Sequence, residues 1–269
     1  MKQKGYSKIE HYIKVWKHII KAGINRSYIY KADVFLRFFR SFFVLGIQLL
    51  FLNAVFGSND VCVGWTKSEA YLVMGFWNIL NYFSWSFFGV NLMYLENKVL
   101  DGQFDYILLK PISSSWISSF GDFFLHNFVT GFSGIMLVIY YLVLEWSNLS
   151  FLNILVGLLA LLVSFIFWYS IYLFFASFTI SRPRNGFISV AKELLGTTKY
   201  PIDIFGESFK VVFYTIIPIA FITTVPANIL IGRENYLYVL IAFVISLVLL
   251  FFAEMSWKKN VKGYTSASS

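Results

Sequence analysis

The chain has 269 residues, of which 58% are hydrophobic, 21% aromatic and only 13% charged. Soluble domains carry roughly 25% charged residues, so water is excluded as the solvent for much of this one, and lipid takes its place. The net charge of +8 points to nucleic acid by size alone, but its distribution argues against that partner; the single cysteine, Cys62, rules out an intrachain disulfide and a thiolate-built metal site.

The first 40 residues form a basic cytoplasmic or interfacial segment with no apolar core and small-residue cleavage site, so no removable signal peptide is expected. Within it, residues 8–24 set Tyr12, Ile13, Trp16 and Ile20 on one stripe at spacings of three and four, with lysines opposite. That pattern predicts a helix lying on the membrane surface, or one packed on a partner protein. Six apolar stretches follow, at about 41–57, 70–92, 123–144, 151–178, 211–231 and 236–256. Each is near the ~20 residues needed to span ~30 Å of hydrocarbon, and none contains Lys or Arg. The expected fold is all-α and polytopic: a single transmembrane domain of about six helices over 1–269.

With alternating crossings, 20 of the 22 Lys and Arg fall on the side that holds the N-terminus. Basic loops stay cytoplasmic, so both termini are expected in the cytoplasm of a cell-membrane protein. The positive charge then faces anionic lipid headgroups rather than nucleic acid.

In the second stretch, Asn78, Asn81 and Trp85 share a helix face that borders a pathway or supplies interhelical hydrogen bonds. The following loop, 94–111, carries Glu96, Asp101 and Asp105 around a turn at Gly102 and closes at Pro111. A short acidic helix beneath the membrane suits docking on a soluble partner; a solvated loop is the plainer reading. Asp122 and His126, four apart, would share a helix face at the start of the third stretch, either as a proton relay or as a boundary carboxylate with its neighbour. Residues 185–200 are too polar to span and read as interfacial or re-entrant. Pro218 and Pro226 should bend or break the fifth stretch, with a break near Pro226 forming a gate, or else an ordinary kink. No phosphate-binding loop is present, so the chain is not expected to hydrolyse ATP. His11 and His18 lack Cys or carboxylate neighbours suited to ligation, and no metal is expected. Mid-membrane acids are scarce, which weighs against an ion-coupled carrier.

Two segments carry a family resemblance. VLDGQFDYILLKPIS resembles the G-x-[FL]-D-x-x-L-L-[KR]-P segment of the ABC type-2 transporter permeases, in the branch long filed as a domain of unknown function. KYPIDIFGESFKVVFYTIIPIAFITTVPANILIG is similar to the same family's Y-P-x-x-I-[FY], I-P-x-A-F and P-A-x-x-L-x-G elements. The resemblance implies a six-span permease subunit of an ATP-driven exporter. It implies that the loop carrying Asp101, Gly102, Asp105 and Pro111 seats in an ATPase subunit, and that the first helix is an elbow moving with it. It also implies two permease chains, identical or paralogous, with two ATPase chains that hold the ATP and Mg; this chain would bind no cofactor. A membrane scaffold or assembly factor, and a membrane enzyme built on Asp122 and His126, are the alternatives.

Overall fold

The computed structural model describes residues 8–29, 31–57 and 61–265. Helix α1 (Lys8–Ile29) is followed by α2 (Lys31–Phe56), and a short β1–β2 hairpin (Val61–Cys62, Trp65–Thr66) turns the chain back into α3 (Lys67–Ser84). A reciprocal capping box starts α3: the Glu69 amide donates to Thr66 Oγ1 (3.3 Å) and the Thr66 amide to Glu69 Oε2 (2.8 Å). A π-turn over Trp85–Gly89 continues into α4 (Val90–Met93), making one helical run over 67–93. The carbonyls this wider turn frees are used. Ser86 O accepts from the Phe124 amide (3.1 Å) and Trp85 O from Asn127 Nδ2 (3.3 Å). Three short helices, α5 (Leu95–Leu100), α6 (Gln103–Leu108) and α7 (Ser114–Phe120), precede α8 (Leu125–Leu144) and α9 (Phe151–Ser181). The last third holds α10 (Phe187–Gly196), α11 (Glu207–Thr215), α12 (Thr224–Ile231) and α13 (Leu237–Lys262).

Among the described residues, four helices are long and apolar enough to cross a membrane: Phe35–Phe56, Leu125–Leu144, Phe151–Ser181 and Leu237–Lys262. They turn apolar side chains outward, among them Phe43, Val143, Leu162 and Phe251, each more than 60% exposed; lipid, not water, is the solvent for such faces. α9 is the central post, packed against α3, α10, α12 and α13. Its serines hold the neighbours. Ser164 Oγ donates to Phe221 O (3.0 Å), Ser170 Oγ reaches Ser246 O (3.4 Å), and Ser177 Oγ meets Ser256 Oγ (2.7 Å). α3 and α8 run antiparallel with Gly75 against Gly134, so that their backbones touch.

Two expectations about the chain path need correction. The first helix crossing begins at Phe35, six residues before the apolar stretch at 41–57, and carries Arg37 and Arg40 inside it. The stretch 211–231 is not one helix. The chain instead rises through α10 and the turns of 197–205, with Trp77 Nε1 donating to Leu195 O (2.9 Å) partway and Trp65 Nε1 to Asp203 (2.9 Å) at the far end. Segment 207–231 then forms a bent helical hairpin at that far end, between α11 and α12. Lys210, assigned by alternation to the N-terminal side, accordingly pairs with Asp203 (2.8 Å) beside the α2–α3 hairpin.

The break falls at Pro218, not near Pro226. Pro218 has no amide hydrogen to continue α11, and a single 3₁₀ turn over Ile219–Phe221 follows it. Pro226 is the third residue of α12, where an amide would have no intrahelical partner anyway, so α12 runs through it. The irregular backbone survives burial because hydroxyls satisfy it. Thr223 Oγ1 donates to Thr198 O (2.6 Å), Thr224 Oγ1 accepts from the Ile202 amide (3.1 Å), and Ser164 covers Phe221 O.

Candidate functional site

At the end of the bundle that carries α1 and the end of α13, three short helices form a seated knob. Gly102, at φ +69, takes the left-handed turn that separates α5 from α6. Leu95, Val99, Phe104 and Ile107 point into the protein, whereas Tyr106 and Leu109 are 71% and 81% exposed and Asp101 and Pro111 stand beside them. Glu96 and Asp105 are half-buried. The knob is clamped from behind: the Phe104 ring packs on Tyr264 (5.1 Å) and Trp257 (6.3 Å). Trp257 Nε1 donates to Ser114 Oγ (3.1 Å), and Ser115 Oγ to Glu254 Oε1 (2.9 Å). Tyr106 and Leu109 thus stand outside the fold on a platform that is held firmly from behind.

α1 is tied to the same platform. Tyr12 OH accepts from the Ser113 amide (3.0 Å) and its ring meets Trp116 edge-on. Trp16 lies against Phe87, and Gly23 sits on the backbone of Phe123, where a β-carbon would come within 2.3 Å of the carbonyl oxygen. Ile20 is half-buried and Ile13 exposed, so the apolar stripe is divided between protein and surroundings.

Above the platform, a cavity of about 660 Å³ opens between α2, α3 and α10. Arg37 and Arg40 reach it from α2, Trp77, Asn81 and Trp85 from the 67–93 run, His126 and Asn127 from the first turn of α8, and Lys192 and Glu193 from α10. The Lys192 ammonium lies 5.8 Å from the Trp85 ring centre, and that of Lys199 5.8 Å from Trp77. Of the three pathway candidates, Asn81 and Trp85 line this cavity. Asn78 does not: it is buried and exchanges hydrogen bonds with Gln48 of α2 (Nδ2 to Oε1, 3.1 Å). The cations and Trp77 were not legible as site residues, because α2 and α10 are about 150 positions apart in sequence and nothing local joins them. The i, i+4 pair Asn81 and Trp85 is the one signal that marked the place.

Asp122 and His126 do not share a helix face as expected. α8 begins only at Leu125, so Asp122 precedes the helix, and its carboxylate is taken by Arg26 Nη2 at 2.9 Å.

The opposite end is closed by charge. Arg233 Nη2 grips both oxygens of buried Glu69 (2.7 and 2.9 Å) and stacks over Trp65, while Ser68 Oγ reaches Glu145 (3.3 Å). Nearby, burial and then Asp203 push the Glu234 carboxyl above its ordinary range, with Lys210 opposing.

Apolar helices facing lipid, a polar cavity held between them and a knob of short helices at one end define a multi-pass membrane protein with the layout of a transport component. More particularly, the chain belongs to the ABC-2 family of transporter proteins: the family model described as ABC-2 family transporter protein matches residues 42–268. A comparison with curated proteins found no match. Members of this family are the membrane component of transporters, are generally not catalytic themselves, and generally partner with an ATPase subunit.

Proposed function

We propose that this chain is the permease subunit of an ATP-driven exporter in the cell membrane, with both termini in the cytoplasm. It forms half of the pathway and pairs with a second permease chain and two ATPase subunits that hold the ATP and Mg. The observation that carries the reading is the knob: α5 and α6 present Asp101, Tyr106, Leu109 and Pro111 outward while Phe104, Ser114 and Ser115 fix them to the end of α13. Force applied there reaches α13 and, through the Ser177–Ser256 contact, α9. α1 would act as the elbow, because Tyr12, Trp16 and Gly23 bind it to the same platform. Closure of the ATPase pair pushes on α5–α6, and the cavity between α2, α3 and α10 passes from one access state to the other.

Copurification with an ATPase subunit tests the assembly, and its turnover tests the coupling. Asp101→Lys with Tyr106→Ala should weaken ATPase binding at least about tenfold, since exposed aromatic anchors carry most interface energy. Unchanged assembly and unchanged turnover would refute the coupling role. Orientation has a mutation-free probe. Cys62, half-buried in the hairpin at the far end, is the sole cysteine. A membrane-impermeant maleimide should label it in intact cells; labelling only after lysis would invert the topology.

A further inference from the structure

The cavity between α2, α3 and α10 has one kind of charge in excess. Among its described lining residues, Arg37, Arg40 and Lys192 are cationic and Glu193 is the one carboxylate. Arg40 of α2 and Lys192 of α10 reach this one cavity from helices far apart in sequence, and cations gathered in this way favour an anionic occupant. Depth adds the second half. Arg40 lies about 24 Å from the far end of α2 at 1.5 Å rise per residue, which sets it near the headgroup level of the leaflet on the terminal side of a ~30 Å core. Trp77 and Trp85 are about 12 Å apart along α3, so the aromatic wall runs from that level toward the middle of the core. Val90, Met93 and Phe124 add further apolar lining. A volume of about 660 Å³ accommodates a headgroup with the first part of an apolar body.

From this geometry we infer that the cargo is an anionic amphiphile, whose phosphate- or carboxylate-type head is held by Arg40 and Lys192 and whose apolar part lies along Trp77 and Trp85. The inference rests on reading this cavity as the transport pathway. It deepens that reading by naming the charge and the polarity gradient of what passes. The Lys192 ammonium, 5.8 Å from the Trp85 ring centre, marks the junction of the two halves, because cation and aromatic wall meet there.

The test is binding, in the absence of nucleotide and of any ATPase, to the full-length chain in a neutral detergent. Phosphatidylglycerol with a fluorophore on its tail is titrated by anisotropy, beside phosphatidylcholine carrying the same tail. The anionic lipid should bind at least about tenfold tighter. The double variant Arg40→Gln, Lys192→Gln should abolish the preference, while Arg40→Lys with Lys192→Arg keeps it to within about threefold and shows that the fold is intact. Lys258→Gln with Lys259→Gln, outside the cavity, should leave it unchanged. Equal binding of the two lipids overturns the proposal, as does loss of the preference in the Lys258 and Lys259 variant, which would assign it to general surface charge. Displacement by inorganic phosphate at the same concentration as by unlabelled phosphatidylglycerol also overturns it, in favour of a soluble anion. Because no ATPase is present, a failed coupling experiment at Asp101 leaves this result readable, and the reverse holds as well.

Discussion

Gly134 is where a single methyl group should do the most damage. A β-carbon built there comes within 2.6 Å of Gly75 O, 2.7 Å of Ile79 N and 2.9 Å of Asn78 Cβ. Ordinary contact begins at 3.4 Å, so α3 and α8 must separate by about 0.8 Å, and two of the three obstacles are backbone that cannot rotate away. Overpacking of this kind costs about 1–3 kcal/mol, and the loss is compounded because the Gln48–Asn78 pair sits beside the same contact. At ~2–4 °C per kcal/mol for a chain of this size, Gly134→Ala should lower the melting temperature by roughly 2–12 °C, read by tryptophan fluorescence in detergent. Gly46→Ala is the control. It lies within α2 with nothing inside 4 Å of the new carbon, and should be neutral or stabilising by about 0.5–1 kcal/mol through helix propensity. If Gly134→Ala melts with the parent protein, or if Gly46→Ala is the worse of the two, direct backbone contact is not what joins α3 to α8.

Other outcomes follow from the far end and from the platform. Arg233→Met strands a buried Glu69 carboxylate and should cost about 2 kcal/mol, discounted because the arginine is partly in water; adding Glu69→Gln, which keeps the α3 cap, should recover most of it in the same melting assay. Glu234 has a folded pKa above its ordinary 4.5 because burial and Asp203 oppose its charge. Its ionisation therefore works against folding: the penalty is absent below the unfolded value and full above the folded one. Glu234→Gln should raise the melting temperature at pH 7–8 and leave it unchanged near pH 4; a rise at both would mean that charge is not the cause. Gly23→Val, which drives a side chain into the Phe123 carbonyl, should detach α1 and make its N-terminal half sensitive to added protease, with the bundle's melting little changed.

The long apolar helices could be read by counting, because a helix that faces lipid must be apolar almost all round, and α8, α9 and α13 are. Segment 187–231 misled the same count. Its apolar half, 219–230, is buried in protein rather than lipid, with Ile219, Ala220, Ile222 and Ile229 fully covered. Its polar half, α10, crosses because Lys192 and Glu193 face the cavity. Hydropathy cannot tell burial in protein from burial in lipid. The start of α2 was missed for a related reason: Arg37 and Arg40 look like the end of a soluble segment until the cavity beside them is known. The turn between α5 and α6 was legible from Gly102, but the side chains that stand out most from the knob, Tyr106 and Leu109, are not acids. Of the acids that drew attention to the loop, Glu96 and Asp105 are half-buried.

The broken backbone between Gly186 and Gly232 has a consequence for how the chain is made. No piece of it is long enough, or apolar enough, to rest alone in a bilayer with its amides and carbonyls satisfied. Its partners are Trp77 of a helix already synthesised and Ser164 of the central post. Both lie earlier in the chain, so they are already made when this stretch emerges and can receive it at once. Loss of the Ser164 hydroxyl would then be felt first as degradation of the newborn protein, before any defect in the mature one.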